Sequence, residues 1–140
     1  MKDYWELEPK LPNPKWFIIA FLVALLLVMG ITCAKAETLK ASWYSIESLK
    51  QEGTYRYSKG VMANGKLFKD DNLTCACRLY NLGDILLITN ISNGKSINVV
   101  VTDRIGKRFA KTRIDLSKGA FKQIANLKQG LINIKVVKLN

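Results

Sequence analysis

The sequence contains no histidine, and it has only three prolines and three cysteines in 140 residues. Histidine is the side chain that most often serves as a general base or metal ligand at neutral pH. Acidic residues are also scarce, because 11 Asp and Glu stand against 22 Lys and Arg, for a net charge of +11. The composition therefore excludes histidine-based catalysis and favours acidic partners.

The three cysteines, Cys33, Cys75 and Cys77, do not form a metal-binding pattern. Two thiols one residue apart, without a histidine or a second pair, make a poor zinc site. A disulfide across one residue is strained. We therefore expect no metal and no other cofactor, and from their chemistry alone Cys75 and Cys77 are small packing residues.

A long uncharged stretch, Trp16–Ala34, precedes the rest of the chain. At about 1.5 Å per helical residue it is long enough to cross a hydrocarbon core of about 30 Å. We expect residues 1–15 to be a cytoplasmic n-region and residues 16–36 to be a signal peptide or a membrane anchor. Lipidation at Cys33 is a third alternative. On all three, residues 37–140 are exported, periplasmic or outer-facing, and either anchored or secreted.

The positive charge belongs to this exported part, since 18 basic and 8 acidic residues follow from Glu37 onward. Such a charge suits nucleic acid, an anionic membrane or an acidic polysaccharide. Nucleic acid fits the export signal badly, and the sequence has no stacking-plus-groove motif of the kind such modules use. We therefore expect no nucleic-acid partner, and membrane contact through the N-terminal segment only.

The pattern of the exported part predicts about six short strands and one helix, which is typical of a small closed barrel. A hairpin is the clearest feature, with strands at Ile85–Asn90 and Ile97–Thr102. The other predicted elements are strands at Leu39–Ser45 and Leu131–Leu139, a mixed run at Leu73–Leu79, a surface loop at Ile46–Gly60 and a helix at Ser117–Leu127. The Asn64-Gly65 turn suits positive φ at both positions.

Two aspartates, each at the end of a β-like run, bracket a basic loop at Lys107–Lys111. Such an arrangement suits an anionic polymer. The loop is either a solvated charge run or a cradle for substrate carboxylates. Asp115 is either a second carboxylate of the site or a cap of the helix that begins at Ser117, because both residue types accept backbone N–H bonds there.

Seven short motifs occur in order and carry a resemblance to a known family. They are Ala41-Ser42-Trp43-Tyr44, Met62-Ala63-Asn64-Gly65, Leu82-Gly83, Thr89-Asn90, Asn93-Gly94, Val101-Thr102-Asp103-Arg104 and Ile114-Asp115-Leu116-Ser117. Their spacing resembles the rare-lipoprotein-A family of double-psi β-barrels, over about Ala41 to Leu139. The Thr-Asp and Ile-Asp-Leu-Ser pair is also similar to the expansin pattern.

The resemblance implies an all-β fold, a six-stranded double-psi barrel with one short helix behind an N-terminal hydrophobic helix. It also implies an exported lytic transglycosylase that cuts peptidoglycan glycan strands, stripped of peptides, to 1,6-anhydromuramyl ends. Asp103 is then the general acid/base, with Asp115 as the second candidate. One carboxyl suffices, since the muramyl C6 hydroxyl is the nucleophile and the carboxylate pair of ordinary glycosidases is not required.

Eight residues are candidates for substrate binding in this monomeric barrel. They are Tyr44, Asn64, Lys66, Cys77, Arg78, Arg104, Lys107 and Arg108. Two of them depart from the family pattern, which has Glu at the position of Lys66 and His at that of Cys77. These departures leave two alternatives to the enzyme: a catalytically silent, expansin-like glycan binder that loosens the wall, and an interaction module in cell division or phage lysis.

Overall fold

The computed structural model describes residues 36–139, together with Lys15 and Ile18. The chain divides into two compact units, Met1–Cys33 and Ala34–Asn140. Apart from Ile18, which is helical, the predicted hydrophobic segment lies outside the described residues, so the three alternatives for it stay predictions. No helix in the described part of the chain is both long and apolar enough to span a bilayer.

Six strands close into a barrel in the second unit. They are β1 (Glu37–Tyr44), β2 (Thr74–Ala76), β3 (Ile85–Asn90), β4 (Ser96–Asp103), β5 (Arg113–Ser117) and β6 (Ile132–Lys138). Their order around the barrel is β1-β5-β2-β4-β3-β6, and β6 returns to pair with β1. The β1–β5 and β2–β4 pairs are parallel, and the others are antiparallel. The predicted six-stranded barrel and its β3–β4 hairpin are confirmed.

Alternation along the strands fills the barrel interior. In β3, β4 and β6 every second residue is buried and, apart from Asn90, apolar; the residues between them are more exposed, except for Thr102 near the end of β4. This period of two is what a strand with one face against a core requires. Fully buried aliphatic side chains from these strands and from β5 form the centre: Leu86, Ile88, Val99, Val101, Ile114, Leu116, Ile134 and Val136.

The expected surface loop at Ile46–Gly60 is wrong, because two short helices occupy it. They are α1 (Ile46–Gln51) and α2 (Thr54–Ser58). Ser45 and Ser48 form a reciprocal capping box that fixes the start of α1. Neither helix buries a residue. The segment therefore lacks the apolar period by which a helix is recognised in sequence, and the cap is the signal that could have revealed it.

The predicted helix after β5 is present as α3 (Lys118–Ile124), with the Ser117 side chain as its N-cap. It ends before Leu127, because Ala125 is extended at φ −156° and the chain enters a separate 3-10 turn, Leu127–Gln129. The buried Asn90 side chain donates a hydrogen bond to the Ile124 carbonyl at 2.8 Å. This bond satisfies one of the carbonyls that a helix end leaves open.

The Asn64-Gly65 turn differs from its prediction at one position. Gly65 has φ +82°, as predicted. Asn64 does not have a positive φ, since Lys59 is the one non-glycine residue in the described part of the chain that does. The Gly65 N–H donates to the Met62 carbonyl, and the Asn64 N–H donates to the Thr102 carbonyl of β4 at 3.1 Å. The turn thus closes a short antiparallel bridge between Val61 and Leu67, and the contact with β4 ties it to the barrel.

A segment before β2 connects the starts of two helices. The Asp70 carboxylate accepts the Ile46 N–H at 2.8 Å, at the start of α1. The Asp70 carbonyl accepts the Gly119 N–H at 2.7 Å, at the start of α3. A Cβ added at Gly119 would meet the Asp71 Cα at 2.8 Å, so this approach requires glycine.

We expect Gly119→Ala to lower the free energy of unfolding by about 1–3 kcal/mol, the usual cost of forcing an extra group into a packed site. The obstacle is backbone, which cannot move aside as a side chain would. Gly106→Ala is the matched control, since its Cβ meets nothing within 4 Å and its φ is −53°. Urea unfolding of both variants measures the difference, and equal stabilities would contradict the prediction.

Candidate active site

Strand pairing brings the two predicted aspartates into one row on the barrel surface. Ser42 of β1 pairs with Asp115 of β5, and Asp115 pairs with Ala76 of β2. Ala76 pairs in turn with Asp103 of β4, after a register shift between Cys75 and Ala76. Neighbouring strands lie about 4.8 Å apart, so the backbones of the two aspartates are about 10 Å apart, with a small side chain between them.

This row lies in a cleft of about 600 Å³. Its walls come from the α1–α2 segment, from the aromatic end of β1 and from the loop after β4. The residues that line it include Tyr44, Leu49, Glu52, Thr54, Ser58, Phe68, Arg104, Ile105, Gly106, Phe109 and Arg113. The helices that the sequence did not predict thus supply one side of the cleft.

Asp103 is held in place by backbone groups. Its Oδ1 atom accepts the Ala63 N–H at 3.0 Å and the Arg104 N–H at 2.8 Å. Its carbonyl accepts the Cys77 N–H at 3.0 Å. Its Oδ2 atom accepts no hydrogen bond from the described residues. One carboxylate oxygen is therefore fixed, while the other remains available to a ligand.

Asp115 has a different environment. The Ser42 hydroxyl donates a hydrogen bond to its Oδ1 atom. Burial raises the pKa of Asp115, and this effect outweighs the Ser42 hydrogen bond and the charge of Arg113, which both lower it. The alternative in which Asp115 caps the helix is wrong, because Ser117 fills that position. Ser42 and Asp115 are register partners on β1 and β5, and this pairing was not recognised from the sequence.

Tyr44 contributes a hydroxyl group that is buried and has no hydrogen-bond partner among the described residues. Burial, followed by the charge of Asp103, raises the pKa of the Tyr44 hydroxyl, so it stays protonated. Its ring stacks on Phe68 with centroids 4.4 Å apart. One ring face is thus occupied by Phe68, and the hydroxyl is enclosed at the cleft without a partner from the described residues.

The two arginines near Asp103 hold neighbouring loops together. Arg104 lines the cleft, and its Nη1 atom donates to the carbonyls of Cys77 and Tyr80, both at 2.7 Å. Arg78 donates through Nε to the Ile105 carbonyl at 2.5 Å. These contacts tie the loop after β2 to the loop after β4. Arg78 and Arg104, which the sequence analysis assigned to substrate binding, therefore have a structural role in holding these loops.

The other candidates lie outside the cleft. Cys77 is fully buried, its thiol accepts the Leu79 N–H at 3.3 Å, and burial raises its pKa. Asn64 and Lys66 line a neighbouring, mostly apolar groove of about 520 Å³. Lys107 and Arg108 are exposed on the 3-10 turn Lys107–Phe109 and do not line the cleft. The structure therefore brings together Asp103, Asp115, Tyr44 and Arg104 alone among the predicted residues.

Comparison with known proteins matches the barrel as a whole. A family model described as lytic transglycolase matches residues 36–136. An uncharacterized protein of Synechocystis is 36% identical over 56% of this chain and 81% of its own length. The endolytic peptidoglycan transglycosylase RlpA of Rickettsia bellii is 34% identical over 71% of this chain and 41% of that protein. The chain thus spans about two fifths of that enzyme.

Solved structures show the same fold at lower identity. The Streptomyces papain inhibitor superposes with a TM-score of 0.55 at 24% identity, over 76% of this chain and 98% of that one. A Clavibacter michiganensis expansin variant, solved in complex with cellohexaose, gives a TM-score of 0.55 at 17% identity, over 76% of this chain and 51% of that one. With the family match over residues 36–136, the chain belongs to the RlpA-like family of lytic transglycosylase double-psi β-barrels.

Proposed function

We propose that residues 37–140 form an endolytic peptidoglycan lytic transglycosylase that acts outside the cytoplasmic membrane. The observation that carries the proposal is that Asp103 and Asp115 line one cleft, on either side of Ala76. The family supports it, since relatives of this chain are named endolytic peptidoglycan transglycosylases.

The proposed reaction needs proton transfer but no protein nucleophile. The C6 hydroxyl of a muramyl residue attacks its own anomeric carbon, so that a C1–O6 bond forms and the glycosidic C1–O4 bond breaks. The leaving O4 atom gains a proton, and the attacking O6 atom loses one. Positioned carboxyl groups perform such transfers efficiently when their pKa values suit the working pH.

In this proposal the two aspartates share the acid–base role that the resemblance assigns to Asp103. Burial raises the pKa of Asp115, and a carboxyl that keeps its proton is suited to donate it to the leaving oxygen. Asp103 is anchored through Oδ1, and its Oδ2 atom takes the proton of the C6 hydroxyl. Solvent in the open cleft then takes the proton from Asp103 and returns one to Asp115.

A second candidate function is a glycan-binding barrel without catalysis, as in expansins. It is favoured by the positions where this chain departs from the family pattern. Cys77 is buried away from the cleft, and Lys66 lines another groove, so neither supplies an acid or base to the reaction. The two candidates differ in their products, because binding alone creates no anhydromuramyl ends.

We expect Asp103→Asn and Asp115→Asn each to lower the rate of anhydromuramyl release by about 10²–10⁴-fold, the usual contribution of general acid–base catalysis. Asparagine keeps the shape of aspartate but does not carry the proton. Mass spectrometry of digested sacculi measures the products. If wild type is active and the Asp115→Asn variant keeps that activity while the Asp103→Asn variant loses it, the whole acid–base role belongs to Asp103. An inactive wild type that still binds glycan would establish the second candidate.

The raised pKa of Asp115 also predicts how the free energy of unfolding depends on pH. Its folded-state pKa is raised above the ordinary value of 3.8. The folded protein therefore holds that proton more tightly than the unfolded chain, and its stability falls as the pH rises from about 3.8 through the folded pKa. Asp115→Asn removes this loss, so the variant should gain stability relative to wild type as the pH rises through that window.

Urea unfolding across a pH series measures this difference, and Asp84→Asn is the contrasting control. Lys138 lies 2.9 Å from the Asp84 carboxylate and lowers its pKa. Replacing Asp84 should therefore cost stability above the ordinary carboxyl pKa, and the cost should vanish as the pH falls through the folded pKa. The same pH dependence for both variants would contradict the assignment.

Tyr44→Phe tests the unpartnered hydroxyl. Because the hydroxyl makes no hydrogen bond in the described structure, its removal should leave the free energy of unfolding unchanged or slightly raised. If the hydroxyl binds substrate, kcat/KM should fall about 10-fold, as expected for one lost hydrogen bond. Tyr57→Phe, at a side chain that is 87% exposed, is the control. Lost stability with unchanged kcat/KM would assign Tyr44 to packing.

A further inference from the structure

A second groove, of about 520 Å³, begins where the catalytic cleft ends. Lys40, Lys111 and Arg113 line it, together with Asn133 and Phe109, and no acidic residue does. Phe109 and Arg113 line the cleft as well. The two depressions therefore form one continuous surface across these shared side chains, and the groove is its cationic part.

The cations of this groove form no ion pair within the described part of the chain, although the charge of Arg113 also acts on Asp115 of the cleft. The ion pair that is present there joins Lys138 to Asp84, and neither residue lines the groove. Lys40 and Arg113 are direct partners in the β1–β5 register. Like charges that face each other across neighbouring strands repel. The free protein thus keeps an unfavourable interaction here that a bound anion would relieve.

The groove also has a fixed geometry. The Arg113 guanidinium lies over the Phe109 ring, 4.2 Å from its centroid, in a cation–π contact that orients the side chain. Asn133 is the register partner of Lys40 on the other side of β1, so β5, β1 and β6 carry Arg113, Lys40 and Asn133, while Phe109 and Lys111 come from the loop before β5. Side chains on paired strands are better positioned for binding than those of a loop.

We propose that this groove, which we call the Lys40 groove, binds the carboxylate groups of an acidic polysaccharide whose neighbouring segment occupies the cleft. The inference rests on the proposed function, in which the polymer is a peptidoglycan strand with free lactyl carboxylates. The groove then selects peptide-free segments, because a stem peptide converts the lactyl carboxylate into an uncharged amide. A phosphate polymer fits the geometry less well, since the guanidinium covers the ring on which a nucleobase would stack.

The proposal differs from the sequence prediction for the basic loop. Lys107 and Arg108 do not line the Lys40 groove, whereas Lys111 does. Binding of carboxylates should therefore depend on Lys40 and Lys111 and not on the first two residues of the loop. Variants that remove the same number of positive charges at different places can therefore distinguish a specific binding site from non-specific electrostatic attraction.

The test measures binding of the full chain to peptide-free glycan strands, in an Asp103→Asn background that prevents turnover. Three double variants remove the same charge: Lys40→Gln/Lys111→Gln in the groove, Lys107→Gln/Arg108→Gln in the loop, and Lys122→Gln/Lys128→Gln on and after α3. The last pair is exposed and lines neither depression. The second ligand is the same strands with their carboxyls converted to methylamides.

We expect the groove variant to weaken binding of the charged strands about 3- to 10-fold at low salt, because it removes two exposed cations that would each face a carboxylate. The other two variants should lose less than about 2-fold. The methylamide strands should bind all forms equally weakly. The difference should shrink at 1 M salt, where charges are screened within about 3 Å.

Equal losses in all three variants, equal affinity for methylamide strands, or absence of binding would overturn the Lys40 groove. Tighter binding of polyphosphate than of the charged strands would also overturn it, because the site would then be one for phosphate. The outcome is separable from catalysis. Carboxylate-dependent binding without anhydromuramyl ends from wild type would reject the proposed function alone, and anhydromuramyl ends with equal binding by the variants would reject the groove alone.

Discussion

The cleft depends on the pairing of β2, a strand of only three residues that lies between the two strands carrying the aspartates. Inward and outward positions alternate along β4, and regular pairing would place Thr102 beside Ala76. The register shift after Cys75 places Asp103 there instead. An irregularity of this kind re-aims the side chain that follows it. Asp103 thus lies in the same row as Asp115 because one residue of β4 is left out of the ladder.

The loops around this row are fixed by charged groups that bind backbone atoms. Arg104 and Arg78 donate to carbonyls of the loops after β2 and β4, and these hydrogen bonds are strong because the donors are charged. Because its guanidinium makes these bonds, Arg104 forms no ion pair with either aspartate within the described part of the chain. A cation in contact with Asp115 would stabilise its ionised form. Arg104 is committed elsewhere, so Arg113 is the cation whose charge lowers the pKa of Asp115, and burial outweighs that effect.

The sequence predicted the features that depend on local pattern, such as the β3–β4 hairpin and the Ser117 cap. The motif resemblance named Asp103 and Asp115 and implied the barrel. Features set by long-range contacts were not predicted. Helix α1 buries no residue and so has no apolar period. The Ser42–Asp115 hydrogen bond joins positions 73 residues apart, and the Lys40 groove exists only once β1 lies between β5 and β6.

The two aspartates line the cleft, whereas Lys40 and Lys111 line the groove and no acidic residue does. A strand with free lactyl carboxylates would be attracted by the groove and not by the aspartates. The favourable register of such a strand therefore places its carboxylates against Lys40, Lys111 and Arg113 and leaves a sugar ring beside Asp103 and Asp115. Arg113 lines both the cleft and the groove, so a bound strand passes from the aspartates to the lysines at this residue. On the proposed model, the groove thus affects which glycosidic bond meets the acid, as well as how tightly the strand binds.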